Sequence, residues 1–299
     1  MRCEELTSWL AAGPRVLDGA TGSELLRRGV ASAGKLWGVG ALLEAPDEVR
    51  RVHRDYAAAG AEAVTAATFR VAPYSLRKAG LEERAPELAA LAVRLAREGG
   101  PDTLVFASQT TLEDCYRPDL VPDDETLRRE HAATAAVLAG AGADALLLET
   151  FNTVREARIA AAAAVATGLP VMVSFACVSG ARLLSGEDAG EAAAAIALPG
   201  VVAAGANCTA VGVELSALSA MAAATPLPLV AYANNAWFED DSVWLTAEPV
   251  SPSRYGFCAL AWLAVGARLV GGCCGTNPEH IAALSYHLMR RRSVQGLEL

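Results

Sequence analysis

One unit of the fold is written out in residues 141–150, Ala-Gly-Ala-Asp-Ala-Leu-Leu-Leu-Glu-Thr. The glycine stands where a helix stops and the chain turns inward, and the apolar run after it is typical of a strand. The helix before it is opened by Pro122-Asp123-Asp124-Glu125, a stretch with a proline and acidic residues suited to a helix start. Helix, glycine turn and apolar strand in this order predict a parallel βαβ arrangement.

The same pattern recurs outward from this unit in both directions. Eight strand–helix units in 299 residues match an α/β fold of the (β/α)8 TIM barrel type, a single domain over residues 1–299. An open doubly wound sheet is the main alternative, but the GxGxxG fingerprint of its nucleotide-binding members does not follow the first strand. The predicted strands are Val16–Asp18, Ala63–Thr68, Thr103–Ser108, Ala145–Glu149, Val171–Ala176, Val201–Asn207, Leu229–Ala233 and Arg268–Gly272.

Composition narrows the class of partner. The net charge of -9 and the lack of a Lys/Arg run argue against nucleic acid, so we expect small-molecule substrates. The uncharged stretch between Arg158 and Arg182 is interrupted by Thr-Gly-Leu-Pro at 167–170, which disfavours a membrane span. Seven cysteines and an N-terminal segment without signal-peptide character indicate a cytoplasmic protein. The oligomeric state is not encoded in any pattern that we recognise.

Polar residues close several of the predicted strands, and in a barrel the chemistry collects at those carboxyl ends. A polar strand end often only caps the next helix, and for Thr68 and Ser108 this explanation is as good as a functional one. For the carboxylates Asp18 and Glu149, each preceded by an apolar run, we favour a functional role over a capping role. The other polar strand ends are Asn207-Cys208, Tyr232 with Asn234, and Cys273-Cys274.

The cysteines give the sharper indication. Cys273 and Cys274 lie in Gly-Gly-Cys-Cys-Gly-Thr at 271–276, and Cys208 ends a strand two positions away around the barrel. Three thiolates from two strand ends suit tetrahedral Zn2+ with one corner left for substrate, although a glycine-rich cysteine pair also occurs as a packing element. The four histidines lie in helical stretches, which disfavours a hydrolytic zinc site. Soft sulfur ligands alone suggest a metal that holds another sulfur.

Four motifs in this order resemble those of the homocysteine S-methyltransferases over most of the chain. Shorter supporting matches stand at 36–37, 46–47, 59–61 and 68–69. The last of the four motifs is the most specific. The motifs are Leu-Asp-Gly-Ala-Thr-Gly-Ser-Glu-Leu at 17–25, Leu-Leu-Leu-Glu-Thr-Phe at 146–151, Gly-Ala-Asn-Cys at 205–208 and Gly-Gly-Cys-Cys-Gly-Thr at 271–276.

The resemblance implies a zinc-dependent methyltransferase that forms methionine. It implies that Zn2+ is held by the catalytic cysteines Cys208, Cys273 and Cys274, with the homocysteine sulfur as incoming ligand. It also implies that Asp18 and Glu149 contact the amino end of homocysteine. Further substrate-site candidates are Asn207, Tyr232 and Thr68.

Two stretches depart from the family pattern. Residues 108–116 stand where many members have a Gly-Pro-Tyr-Gly-like loop, and Ala-Asn-Asn-Ala at 233–236 replaces Pro-Asn-Ser/Ala-Gly. Both are expected over the barrel mouth, so they bear on the methyl donor. A sulfonium donor, S-methylmethionine or S-adenosylmethionine, fits a chain of this length. The alternatives are a betaine-like donor, another small thiol or selenol as acceptor, and a zinc or redox-sensing barrel without turnover.

Overall fold

Eight parallel strands alternate with helices in the computed structural model, which describes residues 1–30, 38–235 and 249–294. The supporting motif at 36–37 and Ala236 therefore lie outside the described residues. All eight predicted strands are present, with ends that differ by a few residues from the expected ones. The barrel strands are β1 Arg15–Val16, β2 Ala63–Ala66, β3 Leu104–Gln109, β4 Ala145–Phe151, β5 Val171–Phe175, β6 Val201–Ala210, β7 Leu229–Asn234 and β8 Ala267–Val270.

The sheet is continuous and closes on itself. Its strand order is β1-β8-β7-β6-β5-β4-β3-β2, with every pair parallel. A parallel bridge between Leu17 and Ala63, with the Asp18 amide donating to the Ala63 carbonyl at 3.1 Å, joins the first strand to the second. The sheet is thus a (β/α)8 barrel, as predicted, and the alternative of an open doubly wound sheet is wrong.

Most helices lie outside the barrel, and several of them begin where the sequence places proline or an acidic residue. Asp123 accepts a hydrogen bond from the Thr126 amide at the start of the helix that ends at Gly140. The helices are α1 Cys3–Ala11, α2 Thr21–Arg27, α3 Val39–Glu44, α4 Pro46–Ala58, α5 Pro73–Arg77, α6 Ala85–Gly99, α7 Asp124–Gly140, α8 Val154–Val165, α9 Ala189–Ala195, α10 Val211–Ala224, α11 Pro252–Ala264 and α12 Pro278–Val294.

Two apolar cores hold these layers together. The larger core lies between the sheet and the helices, where many alanines let the two layers approach closely. The smaller core fills the barrel itself with side chains such as Phe106, Leu147 and Met172. Leu6 and Leu10 of α1 belong to this inner core and have no exposed surface. Helix α1 therefore closes the end of the barrel opposite the carboxyl ends of the strands.

Two further features of the chain were not predicted. A short antiparallel hairpin, Cys177–Val178 with Arg182–Leu183, follows β5 on the side of the barrel mouth. Strands β6 and β7 approach so closely at Gly205 that a Cβ there would lie 1.9 Å from the Val230 carbonyl oxygen.

Among the described residues, no helix combines the length and the apolar character needed to cross a membrane.

Candidate metal and substrate site

Three cysteine thiols meet at the barrel mouth. Cys208 lies near the end of β6, and Cys273 and Cys274 follow β8 after two glycines. The three sulfurs all lie within 4.8 Å of one another. The Cys208 Sγ is 3.1 Å from that of Cys273 and 3.9 Å from that of Cys274, so the thiols are close without being disulfide-bonded. Tetrahedral zinc with Zn–S bonds of about 2.3 Å separates its sulfurs by ~3.8 Å. The donor set therefore fits a metal ion of this kind.

The backbone near the cysteines is bent so that the thiols point to one centre. Cys208 has a φ of 50°, in the left-handed region, and the Asn234 side-chain amide donates to its carbonyl at 3.1 Å. At Gly272 a Cβ would lie 2.3 Å from the Thr276 hydroxyl, so only glycine fits. That hydroxyl donates to the Cys273 carbonyl at 2.8 Å and tightens the turn.

Without a bound cation, the three half-buried thiols do not ionise together. The pKa of Cys208 is held well below its usual value because Cys273, Cys274 and Tyr116 direct hydrogen bonds to its sulfur. The pKa values of Cys273 and Cys274 are raised well above theirs by the same contacts and by burial. One thiolate therefore forms readily and suppresses the other two. Three thiolates together require a positive ion at the centre.

Two buried carboxyl groups lie deeper in the mouth. Asp18 follows β1 and accepts a hydrogen bond from the Thr65 amide at 2.9 Å, while Glu149 in β4 accepts one from the Ser108 hydroxyl. Burial raises the pKa of Glu149 to about 7. Burial and the nearby Glu149 charge raise that of Asp18 well above its usual value. Within the described part of the chain neither forms an ion pair, so the pair offers a place for a ligand cation.

A network of polar side chains connects Glu149, which is hydrogen-bonded to Tyr232, to the sulfurs. The Asn207 Oδ1 accepts hydrogen bonds from the Thr150 amide at 2.8 Å and the Ser174 hydroxyl at 2.5 Å, and its Nδ2 lies 3.9 Å from the Cys273 Sγ. The Tyr232 hydroxyl is 2.7 Å from that of Ser174. Thr150 has a φ of 62°, which turns its amide toward Asn207. Asn207 and Tyr232 thus lie in one network, whose members Thr150 and Ser174 the sequence did not single out.

The Thr68 side chain is hydrogen-bonded to the backbone of Ser108. Its hydroxyl donates to the Ser108 carbonyl at 2.9 Å and accepts from the Ser108 amide at 2.7 Å, so it ties the end of β2 to that of β3. The side chain is buried, with 1% of its surface exposed. The structure therefore gives Thr68 a structural contact, whereas the Ser108 hydroxyl faces Glu149.

The sequence did not single out Tyr116 as a site residue. The Tyr116 hydroxyl oxygen lies 3.0 Å from the Cys208 Sγ. Burial and the neighbouring cysteines raise the pKa of Tyr116 well above its usual value, so it stays a phenol. Its position 92 residues from Cys208 gives no local spacing by which sequence could find the contact.

The remaining cysteines and the histidines take no part in the cluster. Cys177 is buried in the outer core and Cys258 packs half-buried against it, as predicted. All four histidines lie in helices, also as predicted. Of these, His131 is buried and lies 3.1 Å from Glu156.

The fold and the site together define a (β/α)8 barrel with a metal-competent cluster of three thiols at the carboxyl ends of its strands. The chain belongs to the homocysteine S-methyltransferase family, whose sequence model matches residues 15–288. The resemblance found in the sequence motifs is thereby confirmed.

Individual relatives cover nearly the whole chain. The homocysteine S-methyltransferase of Escherichia coli is 34% identical over 90% of this chain and 93% of its own length. Homocysteine S-methyltransferase 4 of Zea mays is 31% identical over 92% and 89%. Among solved structures, the metallated form of the E. coli homocysteine methyltransferase MmuM superposes with a TM-score of 0.81 at 32% identity, covering 92% of this chain and 96% of that one.

Proposed function

We propose that this chain transfers a methyl group from a sulfonium donor to the thiol of homocysteine and so forms methionine. The observation that carries the proposal is the pairing of three clustered thiols with two buried carboxyl groups that have no ion-pair partner among the described residues. A sulfur-binding end and an ammonium-binding end in one mouth match the two ends of a thiol amino acid. Membership of the family supports the same activity.

The cysteines would hold Zn2+, and the donor chemistry favours that ion. Thiolate sulfurs are ligands that zinc binds well, and three of them leave one tetrahedral corner open. Zn2+ bound by these cysteines would supply Lewis-acid chemistry that lowers the pKa of a substrate thiol. Three thiolates already exceed the charge of the dication, so the substrate sulfur keeps its electron density and remains nucleophilic.

Asp18 and Glu149 would bind the ammonium group. Their pKa values are raised in the free protein, and an ammonium between them supplies the missing positive charge. The Ser108 hydroxyl and the Thr65 amide fix the two carboxyl groups in place. The acceptor is thus held at both ends before the donor reacts, which removes orientational freedom from the reaction.

A cationic donor suits this mouth. In the transfer, a lone pair of the homocysteine sulfur forms a bond to the methyl carbon while the bond between that carbon and the donor sulfonium breaks. The bonding electrons stay on the donor sulfur, which leaves as a neutral thioether. No proton has to be delivered to this leaving group, so no general acid is needed. The anionic mouth attracts the positive donor and favours its approach.

The test is a product assay with purified zinc-loaded protein. Homocysteine is mixed in turn with S-methylmethionine, S-adenosylmethionine and glycine betaine, and methionine is measured. We expect methionine with a sulfonium donor. Methionine with betaine alone would overturn the choice of donor, and methylation of another small thiol or selenol in preference to homocysteine would overturn the acceptor. No methylated product from any pair would favour a zinc or redox-sensing barrel.

Two variants make the assay specific to the site. The Cys208→Ala change removes one sulfur of the cluster and should abolish methionine formation. The matched control Cys258→Ala removes a half-buried cysteine on α11 that packs against the outer core, away from the cluster. It should retain activity close to that of the wild type.

A further inference from the structure

Tyr116 reaches the sulfur cluster from a loop that belongs to neither of the strands that carry the cysteines. The loop follows β3, and the Tyr116 hydroxyl lies 3.0 Å from the Cys208 Sγ. A metal-bound thiolate can only accept hydrogen bonds, so the hydroxyl must be the donor in the loaded site. The contact then places a hydrogen-bond donor on one of the three anionic ligands.

The loop is held in place by buried polar contacts. The Arg70 guanidinium, 9% exposed, donates to the carbonyls of Thr111 and Glu113 at 3.1 and 3.0 Å. The Asn152 side-chain amide donates to the Cys115 carbonyl at 2.9 Å, directly before Tyr116. A fixed loop keeps the tyrosine over Cys208 at little cost in conformational entropy.

The base of the loop is anchored as well. The Glu156 carboxylate accepts a hydrogen bond from the Leu112 amide at 2.9 Å and lies 3.1 Å from the His131 Nε2. The Gln109 side chain, at the end of β3, is 2.9 Å from the other nitrogen of that histidine. These side chains are buried, so the anchor sits on α7 and α8 rather than in solvent.

We propose that Tyr116 is a positioning residue for the metal centre, whose hydroxyl stabilises the Cys208 thiolate as a ligand. The proposal rests on the proposed metal site. Three thiolates around a dication leave a net negative charge in a largely buried position, and a donor hydrogen bond spreads part of that charge. The loop that supplies it includes residues 108–116, one of the two stretches in which this chain departs from the family pattern.

The experiment compares zinc affinity in two tyrosine-to-phenylalanine variants. Tyr116→Phe removes the hydroxyl that contacts Cys208 and leaves the ring. Tyr74→Phe is the matched control, because its hydroxyl donates to Glu113 of the same loop at 2.5 Å without reaching a sulfur. Zinc affinity is measured by competition with a chromophoric chelator, and circular dichroism verifies the fold of each variant. Because outer partners of metal ligands typically contribute one to two orders of magnitude, Tyr116→Phe should bind zinc roughly 10- to 100-fold more weakly.

A second readout reports on the sulfur directly. With Co2+ in place of zinc, the sulfur-to-cobalt charge-transfer band should shift in Tyr116→Phe and stay unchanged in Tyr74→Phe. Equal zinc affinity and equal spectra in wild type and Tyr116→Phe would overturn the inference, and so would an equal loss in Tyr74→Phe, which would assign the effect to the loop. A wild-type protein that binds neither metal would overturn the metal site itself.

Discussion

Replacing Glu149 by glutamine tests the proposed ammonium site most directly. The change removes one negative charge and keeps the shape of the side chain and an oxygen that can accept from Ser108. Asp18 is then the one carboxyl group of the pair that remains to face the ligand. Since Glu149 has no ion-pair partner among the described residues, the charge that is lost is the one offered to the substrate.

The size of the effect follows from the burial of the pair. Glu149 is 8% exposed and Asp18 2% exposed, so an ion pair with a substrate ammonium is little screened. Hydrogen bonds to charged groups contribute about 1.5–3 kcal/mol, so the loss of one such contact should weaken homocysteine binding by about 2 kcal/mol, or ~30-fold. Metal content should not change, because the carboxyl group is no ligand.

The pH dependence gives an independent check. The pKa of Glu149 in the free protein is about 7, and the ammonium complex needs the ionised form. Below that pH, binding must expel the Glu149 proton in addition to the thiol proton that is released when the sulfur binds as a thiolate, so wild-type affinity should rise with pH more steeply between 6 and about 7 than above 7. In Glu149→Gln this rise should be shallower.

The assay is calorimetric titration of zinc-loaded protein with homocysteine between pH 6 and about 8. The control is Glu87→Gln, which removes an exposed carboxylate of α6 and should leave affinity unchanged. Wild-type affinity in Glu149→Gln, or loss of zinc from it, would refute the assignment of this carboxylate to the ammonium group.

Three further predictions concern the metal, the packing of the barrel and the acid stability. Cys273→Ser should lose zinc and activity together while thermal unfolding still shows a folded barrel, and stoichiometric zinc in this variant would contradict the ligand assignment. Gly205→Ala should lower the free energy of unfolding by about 3 kcal/mol in denaturant titration, because its Cβ would lie 1.9 Å from the Val230 carbonyl oxygen. The control Gly212→Ala has no atom near its Cβ and should not lower it, so equal stabilities of the two variants would refute this reasoning. Burial lowers the pKa of His53 to about 4, so the unfolded chain takes up a proton before the folded one as pH falls below 6.5. Between pH 7 and 4 the free energy of unfolding of the wild type should therefore fall by up to ~3 kcal/mol relative to that of His53→Leu. Parallel curves of stability against pH would show that His53 does not titrate in this way.

Much of the barrel could be predicted because its signals are local. The strands are short apolar runs and several helix stops carry a glycine, as in residues 141–150, so the order of elements was readable without tertiary information. The ends were less certain because backbone pairing decides them. Strand β6 runs on to Ala210, past the predicted end at Asn207, since Ala210 still pairs with Asn234 of β7.

The site was predictable only where its chemistry is unusual. A Cys-Cys pair among glycines and a cysteine at a strand end are rare enough to be noticed, and barrel topology predicts that they meet. Tyr116 was not noticed because its loop has no periodic pattern and its partner Cys208 is distant in sequence. For Thr68 the sequence left a functional role and a structural one equally open, because side-chain direction at a strand end depends on neighbours. In the structure the Thr68 hydroxyl forms hydrogen bonds with the Ser108 backbone.

Among the described residues, the leucines of α1 fill the far end of the barrel, so the mouth at the carboxyl ends of the strands is the entrance left for the two reactants. Acceptor and donor must then come in through the same opening, and both products must go out by it. The molecule that binds deeper cannot leave until the outer one has left. Steady-state kinetics should therefore show an ordered sequence of substrate binding and product release. With homocysteine as the inner ligand, the spent donor should leave first and the methionine formed from homocysteine last.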